Sequence, residues 1–284
     1  MAKGSSWGSE SVCLGRTRAA LREEILEWIR SADIGGAAEI MWLNDVAGSG
    51  KSTVAHTIAQ QCHDEGLLVS CFFFDRMSPD RNGPQNLFST IAYGLASNAD
   101  VAEQIGLTIE RNRSIINESP ADQFKAFLLD IALEGWYPID KPVVIILDGL
   151  DEDRNDSLLK ILRNEVPKLP GNFRFLVTSR PQPTMLSFMS ERAHIRSCTM
   201  DINGQANLED IAAYVLFKLE EVAMRTDMGS DWPGEELSRA FTRRAEGLFS
   251  WVKTVCDYLA SFIDPTGRLI SLVSNGSSMG GQNG

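Results

Sequence analysis

The chain has 284 residues, of which 43% are hydrophobic, enough for one α/β core and a smaller second domain. Its net charge of −11 argues against a broad basic surface for nucleic acid, and its longest apolar stretches are too short or too charged to span a membrane. Five scattered cysteines without a C-x-x-C spacing favour reduced thiols over disulfides or zinc, as in a cytoplasmic protein. From these three features together we expect a cytoplasmic protein with no nucleic-acid or membrane partner.

The N-terminal part is predicted to contain one helix between irregular segments. Residues 1–12 are rich in glycine and serine, and we expect them to be disordered. Apolar residues recur at helical spacing between Arg18 and Arg30, which predicts an amphipathic linker helix. A glycine pair then interrupts the chain, so residues 1–35 are predicted to precede the first domain.

The central part alternates apolar runs with amphipathic segments, which predict buried strands and helices respectively. Strands are expected at residues 39–44, 67–74, 143–147 and 173–177, with a further one possible at 194–198. Helices are expected at residues 51–63, 86–97, 99–113, 120–135, 155–168 and 184–191. This alternation predicts an α/β domain with a doubly wound parallel sheet over residues 36–202.

The character of the chain changes after residue 203. Amphipathic helices without intervening strands are expected at residues 208–225, 234–245 and 248–263. They predict a small all-helical domain over residues 203–265. Residues 266–284 end in a low-complexity sequence of glycine, serine and asparagine, and we expect a disordered tail there.

The most specific motif follows the first predicted strand and precedes a helix. Its letters, D-V-A-G-S-G-K-S-T, match the phosphate-loop pattern G-x-x-x-x-G-K-[ST] except at the first position. Glycines let backbone N–H groups converge on phosphate oxygens, and the helix N-terminus adds partial positive charge. We expect Lys51 to bridge the β- and γ-phosphates and the Ser52 hydroxyl to ligate Mg²⁺. The predicted nucleotide-binding residues are Asp45, Val46, Ala47, Gly48, Ser49, Gly50, Lys51, Ser52 and Thr53.

Asp45 stands where the pattern has its first glycine, and it adds a Cβ and a negative charge. A carboxylate about 6 Å from a phosphate charge, at an effective dielectric of about 20, gives a repulsion of roughly 3 kcal/mol per unit charge, or about a hundred-fold in affinity. The side chain can instead point away from the nucleotide, or pair with Lys51 or a bound cation. We expect Asp45 to weaken nucleotide binding without abolishing it.

A second motif follows the strand predicted at 143–147. Asp148 ends this strand, which we expect to lie beside the strand that carries the loop, so that the carboxylate holds Mg²⁺ close to Ser52. Asp151 and Glu152 follow shortly after and are candidates to orient or deprotonate an attacking water. The alternative is an acidic turn that caps the next helix.

A third motif, F-R-F-L-V-T-S-R-P, ends in Arg180. Its strand delivers the arginine to the carboxyl edge of the sheet, where ligands of open α/β folds bind. An arginine at that edge can sense a γ-phosphate and stabilise charge during transfer, which makes Arg180 a candidate catalytic residue. The alternative is a surface arginine in a salt bridge.

Taken together, the three motifs resemble the NACHT branch of the signal-transducing (STAND) P-loop NTPases. The resemblance is to NACHT modules of filamentous and mushroom-forming fungi, also described as nephrocystin-3-like N-terminal domains, and it extends over residues 12–265. Segments 13–18, 72–76 and 247–251 add to it. It implies a P-loop NTPase core followed by a small all-helical lid domain, which together form a switch operated by ATP or GTP with Mg²⁺.

The resemblance also implies protein partners or self-association, and a role in intracellular signalling, defence or self/non-self recognition. It places residues 15–17 against the adenine or ribose and residues 247–249 over the nucleotide. A helix cap at 15–17, and packing of Leu248, Phe249 and Trp251 in a core, are the alternatives. Related ATPases have a catalytic glutamate where this chain has Gly149, so only weak and slow NTP hydrolysis is implied.

Three classes of function stay open on the sequence alone. The first is a NACHT-type switch with slow ATP or GTP hydrolysis. The second is a hydrolysis-deficient nucleotide-binding scaffold, or a truncated module that acts through partners. The third is a P-loop kinase or another transferase, which needs several arginines in a substrate lid. Residues 205–265 contain Arg225, Arg239, Arg243 and Arg244.

Overall fold

The computed structural model describes residues 8, 11–32, 36–37, 39–137, 141–153 and 156–274. The chain divides into two compact units. The core unit comprises Met1–Val12, Ala20–Val46 and Lys51–Thr199, and the helical unit comprises Cys13–Ala19, Ala47–Gly50 and Met200–Gly284. The two ends of the phosphate loop therefore belong to the core unit, whereas its tip belongs to the helical unit. Most of the predicted disordered N-terminus lies outside the described residues.

The core unit is built on a sheet that has five parallel strands in the described part of the chain. They are β1 (Glu39–Asn44), β2 (Leu68–Phe73), β3 (Val143–Asp148), β4 (Phe173–Ser179) and β5 (Ile195–Thr199). Every residue of β3 and β4 is buried, so both faces of the sheet are covered there, as a doubly wound fold requires. The predicted α/β class is confirmed, and the additional strand near 194–198 forms as β5.

The strand order is β2-β3-β4-β1-β5. β4 pairs with β1, in register from Glu39 opposite Arg174 to Asn44 opposite Ser179, and it pairs with β3 on its other side. The expectation that β3 lies directly beside β1 is therefore wrong. Hydrophobic runs identify buried parallel strands, but the crossover connections decide which of them become neighbours. As a result, the carboxyl end of β4 lies between those of β1 and β3.

The helices of the core unit precede, follow or connect these strands. They are α1 (Ala19–Arg30), α2 (Lys51–Asp64), α3 (Leu87–Leu95), α4 (Ala99–Arg111), α5 (Pro120–Phe124), α6 (Asp130–Leu133), α7 (Ser157–Asn164) and α8 (Pro183–Met189). A π-helical segment, Lys125–Leu129, joins α5 to α6, so the helix predicted at 120–135 has an irregular middle. α7 ends earlier than predicted and gives way to a 3₁₀ turn at Val166–Lys168, because Pro167 lacks the N–H that a longer helix needs.

The ends of β1 and β4 are joined by a buried side-chain hydrogen bond. The Trp42 indole, 1% exposed, donates from Nε1 to Ser179 Oγ at 2.8 Å. A buried indole N–H costs free energy unless it has such a partner. This bond therefore fixes the strand ends next to the phosphate loop.

The helical unit contains α9 (Gln205–Arg225), α10 (Glu235–Arg244), α11 (Phe249–Leu259) and α12 (Pro265–Ser274). The expectation of a disordered tail from residue 266 is wrong for 266–274, which form most of α12. Pro265 suits the first turn of a helix, and Leu269 is fully buried in the core of the unit. Residues 275–284 lie outside the described part of the chain. No described helix is both long and apolar enough to cross a membrane.

Candidate functional site

Lys51 is the first residue of α2 and is held against the chain that enters the helix. Its Nζ donates to the main-chain oxygens of Asp45 and Val46, at 2.8 Å each. Burial lowers the pKa of the Lys51 ammonium, and the carboxylates of Asp45, Asp151 and Asp148 oppose this shift. The lysine therefore forms the positive centre of a site that also contains three acidic residues.

Asp45 lies at the exit of β1 and is only 7% exposed. Its Oδ1 accepts the Val46 N–H at 2.7 Å, and its own N–H donates to the Ser179 carbonyl at 3.4 Å. Its Oδ2 is buried and has no hydrogen-bond partner among the described residues. Asp45 thus hydrogen-bonds to Lys51 through its main chain, while its carboxylate adds an electrostatic attraction.

Asp148 lies at the carboxyl end of β3 and accepts hydrogen bonds from two hydroxyl groups. Thr178 Oγ1 donates to Asp148 Oδ1 at 2.6 Å and accepts the Gly149 N–H at 3.0 Å. The Ser52 hydroxyl also hydrogen-bonds to this carboxylate. Burial raises the pKa of the Asp148 carboxyl, and the two hydroxyl groups and Lys51 oppose the shift. Ser52 and Asp148 therefore meet although β4 separates their strands.

The chain that follows β3 turns sharply at Gly149, whose φ is +76°. Glycine adopts this left-handed conformation without the steric penalty that a Cβ brings. A 3₁₀ turn, Leu150–Glu152, follows and is referred to as the acidic turn. In it, Asp151 Oδ1 accepts the Arg180 N–H at 2.9 Å, and Asp151 Oδ2 lies 2.8 Å from Arg180 Nε.

Glu152 connects two arginines. Its Oε1 lies 2.6 Å from Arg180 Nη2, and its Oε2 lies 2.7 Å from Arg76 Nε. Arg76 Nη2 also donates to the main-chain oxygen of Asp151 at 2.6 Å. Arg180 thus makes ion pairs, but with the candidate catalytic carboxylates themselves. The role of Arg76 was missed from the sequence, where it was noted only as part of the segment at 72–76.

The tip of the phosphate loop, Ala47–Gly50, packs inside the helical unit. Gly48 has a φ of +84°, and its carbonyl accepts the Ser250 N–H at 3.3 Å. A Cβ on Gly48 would lie 2.0 Å from Ser250 Oγ, closer than any real contact. The positive φ therefore favours glycine at this position, and a Cβ would also force the Ser250 hydroxyl to move.

Arg18 also binds this tip within the helical unit. Its Nη2 donates to the Ser49 carbonyl at 2.8 Å, and its guanidinium lies 5.1 Å from the centre of the Phe249 ring. Phe249 packs against Tyr214, at 5.3 Å between ring centres, and Trp251 also packs on the helical core. Trp251 thus packs in the helical core, whereas Phe249 contacts both this core and the loop tip, where a Cβ on Gly50 would lie 3.7 Å from its ring. The placement of residues 247–249 over the nucleotide stays a prediction.

The donor set at Ser52 and Asp148 fits a magnesium ion. Mg²⁺ takes oxygen ligands and binds through one or two protein groups together with phosphate oxygens and waters. Among the described residues, no group of three or more His, Cys, Asp and Glu side chains could hold a metal. An ion at Ser52 and Asp148 would therefore depend on phosphate and water for the rest of its ligands.

In this parallel sheet, β1 runs into a phosphate loop, and a lysine, a serine and a strand-end aspartate lie together at the carboxyl edge. This is the fold and site of a P-loop NTPase. Residues 19–180 match the family described as "Nephrocystin 3, N-terminal". Because this match covers more than half of the 284 residues, the chain belongs to the nephrocystin-3 N-terminal family. The predicted nephrocystin-3-like assignment is thereby confirmed. A comparison with curated proteins found no match.

Two solved structures resemble the chain in fold. A structure of C. elegans PCH-2 superposes with a TM-score of 0.50 and 11% identity, over 93% of this chain and 69% of that chain. A structure of Drosophila ORC bound to GC-rich DNA and Cdc6 gives a TM-score of 0.43 and 12% identity, over 92% of this chain and 47% of that chain. At these identities, the likeness to PCH-2 supports the fold alone.

Proposed function

We propose that the chain is a signalling switch of the NACHT type that binds a nucleoside triphosphate with Mg²⁺ and hydrolyses it slowly. The observation that carries this proposal is the meeting of Lys51, Ser52 and Asp148 at the carboxyl edge of the sheet. An ammonium, a hydroxyl and a carboxylate in this relation are the groups needed to bind phosphates and their metal ion. Membership of the nephrocystin-3 N-terminal family agrees with it.

Each residue of the site has a distinct role in this proposal. The segment 45–53 surrounds the phosphates, and Lys51 leaves its two carbonyl partners to meet the β- and γ-phosphates. Ser52 and Asp148 hold Mg²⁺, which neutralises phosphate charge when bound. Thr178 fixes the orientation of the Asp148 carboxylate through its hydroxyl group. The identity of the base, adenine or guanine, is a question for binding measurements.

Slow turnover is expected because both candidate bases are already paired. A general base must have an oxygen within reach of the attacking water. Asp151 and Glu152 instead hold Arg180, and Glu152 also holds Arg76. Arg180 has to leave these carboxylates before it can reach a γ-phosphate. We infer that engagement of the triphosphate by Arg180 and release of a carboxylate are linked steps.

The same pairing favours a second candidate function, a nucleotide-binding scaffold without turnover. In that case Asp151 and Glu152 serve only to hold Arg180 in place. The scaffold and the switch have the same binding site and differ only in the hydrolysis rate. Under either proposal, the chain acts in the cytoplasm through protein partners or self-association, in signalling, defence or self/non-self recognition.

Equilibrium binding of fluorescent ATP and GTP, with and without Mg²⁺, tests nucleotide binding. Lys51→Ala should weaken binding by about a hundred-fold, because it removes about two charge-assisted hydrogen bonds to phosphate. Lys125→Ala is the matched control, since Lys125 is an exposed lysine paired with Asp130 at 3.3 Å. Equal affinities of wild type and Lys51→Ala would refute the assigned site.

Steady-state phosphate release then separates the two candidate functions. The switch predicts a slow rate that disappears in Lys51→Ala. The scaffold predicts a wild-type rate no higher than that of Lys51→Ala. A rate of many turnovers per second would contradict the inferred restraint of Asp151 and Glu152. A screen of phosphate acceptors tests the transferase alternative.

A further inference from the structure

Arg76 and Arg180 hold the acidic turn from two sides. Arg180 contacts both carboxylates, whereas Arg76 contacts the Glu152 carboxylate and the Asp151 main chain. The two arginines come from different parts of the sheet, since Arg76 follows β2 and Arg180 follows β4. Both side chains are partly exposed, at 43% and 44%, so each is able to move. The turn thus has two independent anchors.

The two anchors are not equivalent toward a nucleotide. Arg180 follows the strand next to the loop-bearing β1, whereas β2 is the strand at the far edge of the sheet, three positions from β1. In the proposed function Arg180 turns to the γ-phosphate, and the turn then loses the Nε and Nη2 contacts of this arginine. The contacts of Arg76 do not depend on that movement. They leave Glu152 with a cationic partner and the Asp151 carbonyl with a donor.

The loop that carries Arg76 is itself held in shape. The Asp75 N–H donates to the Arg81 carbonyl at 3.0 Å, and Arg81 Nη1 donates to the Phe73 carbonyl at 3.0 Å. Arg81 Nη2 also lies 3.0 Å from Asp75 Oδ2. A closed loop of this kind presents the Arg76 side chain from a fixed backbone.

We propose that Arg76 is a positioning residue that keeps the acidic turn in place when Arg180 leaves it for the phosphates of a bound nucleotide. This inference rests on the proposed function. It assigns Arg76 no contact with the nucleotide. Loss of Arg76 therefore harms the turn, and the water-positioning that depends on it, in the triphosphate-bound state only. In the nucleotide-free protein, Arg180 alone suffices.

Amide hydrogen exchange at Glu152 and Asp153 reports on this turn, because their N–H groups donate to the Gly149 and Leu150 carbonyls at 2.8 and 3.2 Å. Without nucleotide, the Glu152 and Asp153 amides of Arg76→Ala and of Arg180→Ala should exchange at the wild-type rate. In the double variant Arg76→Ala/Arg180→Ala they should exchange about ten-fold faster. With a non-hydrolysable triphosphate analogue and Mg²⁺, Arg76→Ala should also exchange about ten-fold faster than wild type.

A matched control is available in Arg30→Ala. Arg30 and Glu65 form an ion pair on the core unit, with side chains 46% and 38% exposed, close to the exposure of Arg76. Its removal should leave exchange in the acidic turn unchanged with or without the analogue. In hydrolysis assays, Arg76→Ala should lower kcat by about ten-fold and leave the nucleotide Kd unchanged, a split that general destabilisation does not produce.

The outcomes separate this inference from the proposed function. Failure of the wild-type chain to bind the analogue overturns the proposed function. If the analogue binds but Arg76→Ala exchanges like Arg30→Ala, the inference alone is overturned. Slow exchange in the nucleotide-free double variant overturns it as well, because the two arginines would then not be the anchors of the turn.

Discussion

Replacement of Asp45 tests whether its charge limits nucleotide affinity. Asp45→Asn removes the charge and keeps an oxygen that can accept the Val46 N–H, while Asp45→Gly restores the phosphate-loop pattern. Asp45 is only 7% exposed, so solvent screens its charge weakly. We expect both variants to bind nucleotide at least about ten-fold more tightly than wild type.

The magnitude follows from two effects of the carboxylate that both weaken nucleotide binding, and from partial screening by Lys51. At about 6 Å from a phosphate charge and an effective dielectric of about 20, its repulsion is roughly 3 kcal/mol, which corresponds to about a hundred-fold in affinity. Its attraction for Lys51 acts in the same direction, because it helps to keep the ammonium on the loop carbonyls. Lys51 also screens part of the repulsion, so about ten-fold is the lower bound.

The assay is equilibrium titration with fluorescent ATP in the presence of Mg²⁺, at two salt concentrations. Asp64→Asn is the control, since it makes the same change in net charge at an exposed position at the end of α2. Unchanged affinity in both Asp45 variants would refute the electrostatic reasoning. Tighter binding in Asp45→Gly alone would also refute it, because the cause would then be the Cβ and the backbone.

Three further predictions concern the metal site, the loop tip and a buried thiol. Asp148→Asn should remove most of the increase in nucleotide affinity that Mg²⁺ gives to wild type; an equal Mg²⁺ effect in both proteins would contradict the assigned ligand. Gly48→Ala should lower the free energy of unfolding by roughly 2 kcal/mol, because a Cβ is strained at positive φ and meets Ser250 Oγ. The double variant Gly48→Ala/Ser250→Ala should recover part of this loss, because the clash with the hydroxyl is removed. Urea titration of the single and double variants measures both changes. Burial raises the pKa of the Cys62 thiol from 9.0 to about 12, so its contribution to stability is complete below pH 9 and is lost as the pH rises toward 12. Wild type should therefore lose unfolding free energy above pH 9 by about 1.4 kcal/mol per pH unit more than Cys62→Ala does. Urea titrations at several pH values measure this, and the same pH dependence in both proteins would contradict it.

Local patterns in the sequence predicted most of the elements of the core unit. The apolar runs at 39–44 and 143–147 became β1 and β3, because burial on both faces leaves a hydrophobic run that is easy to recognise. The sequence did not predict that β4 lies between them, since strand order depends on how the crossovers pack. α12 was missed because Pro265 and Gly267 at its start, and the Gly/Ser-rich sequence after it, are typical of loops.

The candidate site shows the same division between local and tertiary information. Lys51, Ser52 and Asp148 could be predicted because each belongs to a short pattern with a chemical reason for its residue types. The pairing of Asp151 and Glu152 with arginines could not, because Arg76 and Arg180 come from distant parts of the chain. An acidic pair after a strand looks the same in sequence whether its oxygens face water or guanidinium groups.

The position of β4 explains why the site holds together although β1 and β3 are not neighbours. β4 lies between them and contacts both. Thr178 donates to Asp148 and accepts from Gly149 at the end of β3, and Ser179 accepts the Trp42 indole N–H and the Asp45 N–H at the end of β1. Two residues after Thr178, Arg180 also reaches toward the end of β3 and pairs with the acidic turn. The end of β4 therefore contacts both Asp148, the proposed Mg²⁺ ligand, and the candidate bases. A movement of Arg180 toward a phosphate changes the contacts of the acidic turn but leaves those of Thr178 intact. Under the proposed function, loss of the γ-phosphate would therefore change the acidic turn without releasing Asp148, as a nucleotide-operated switch requires.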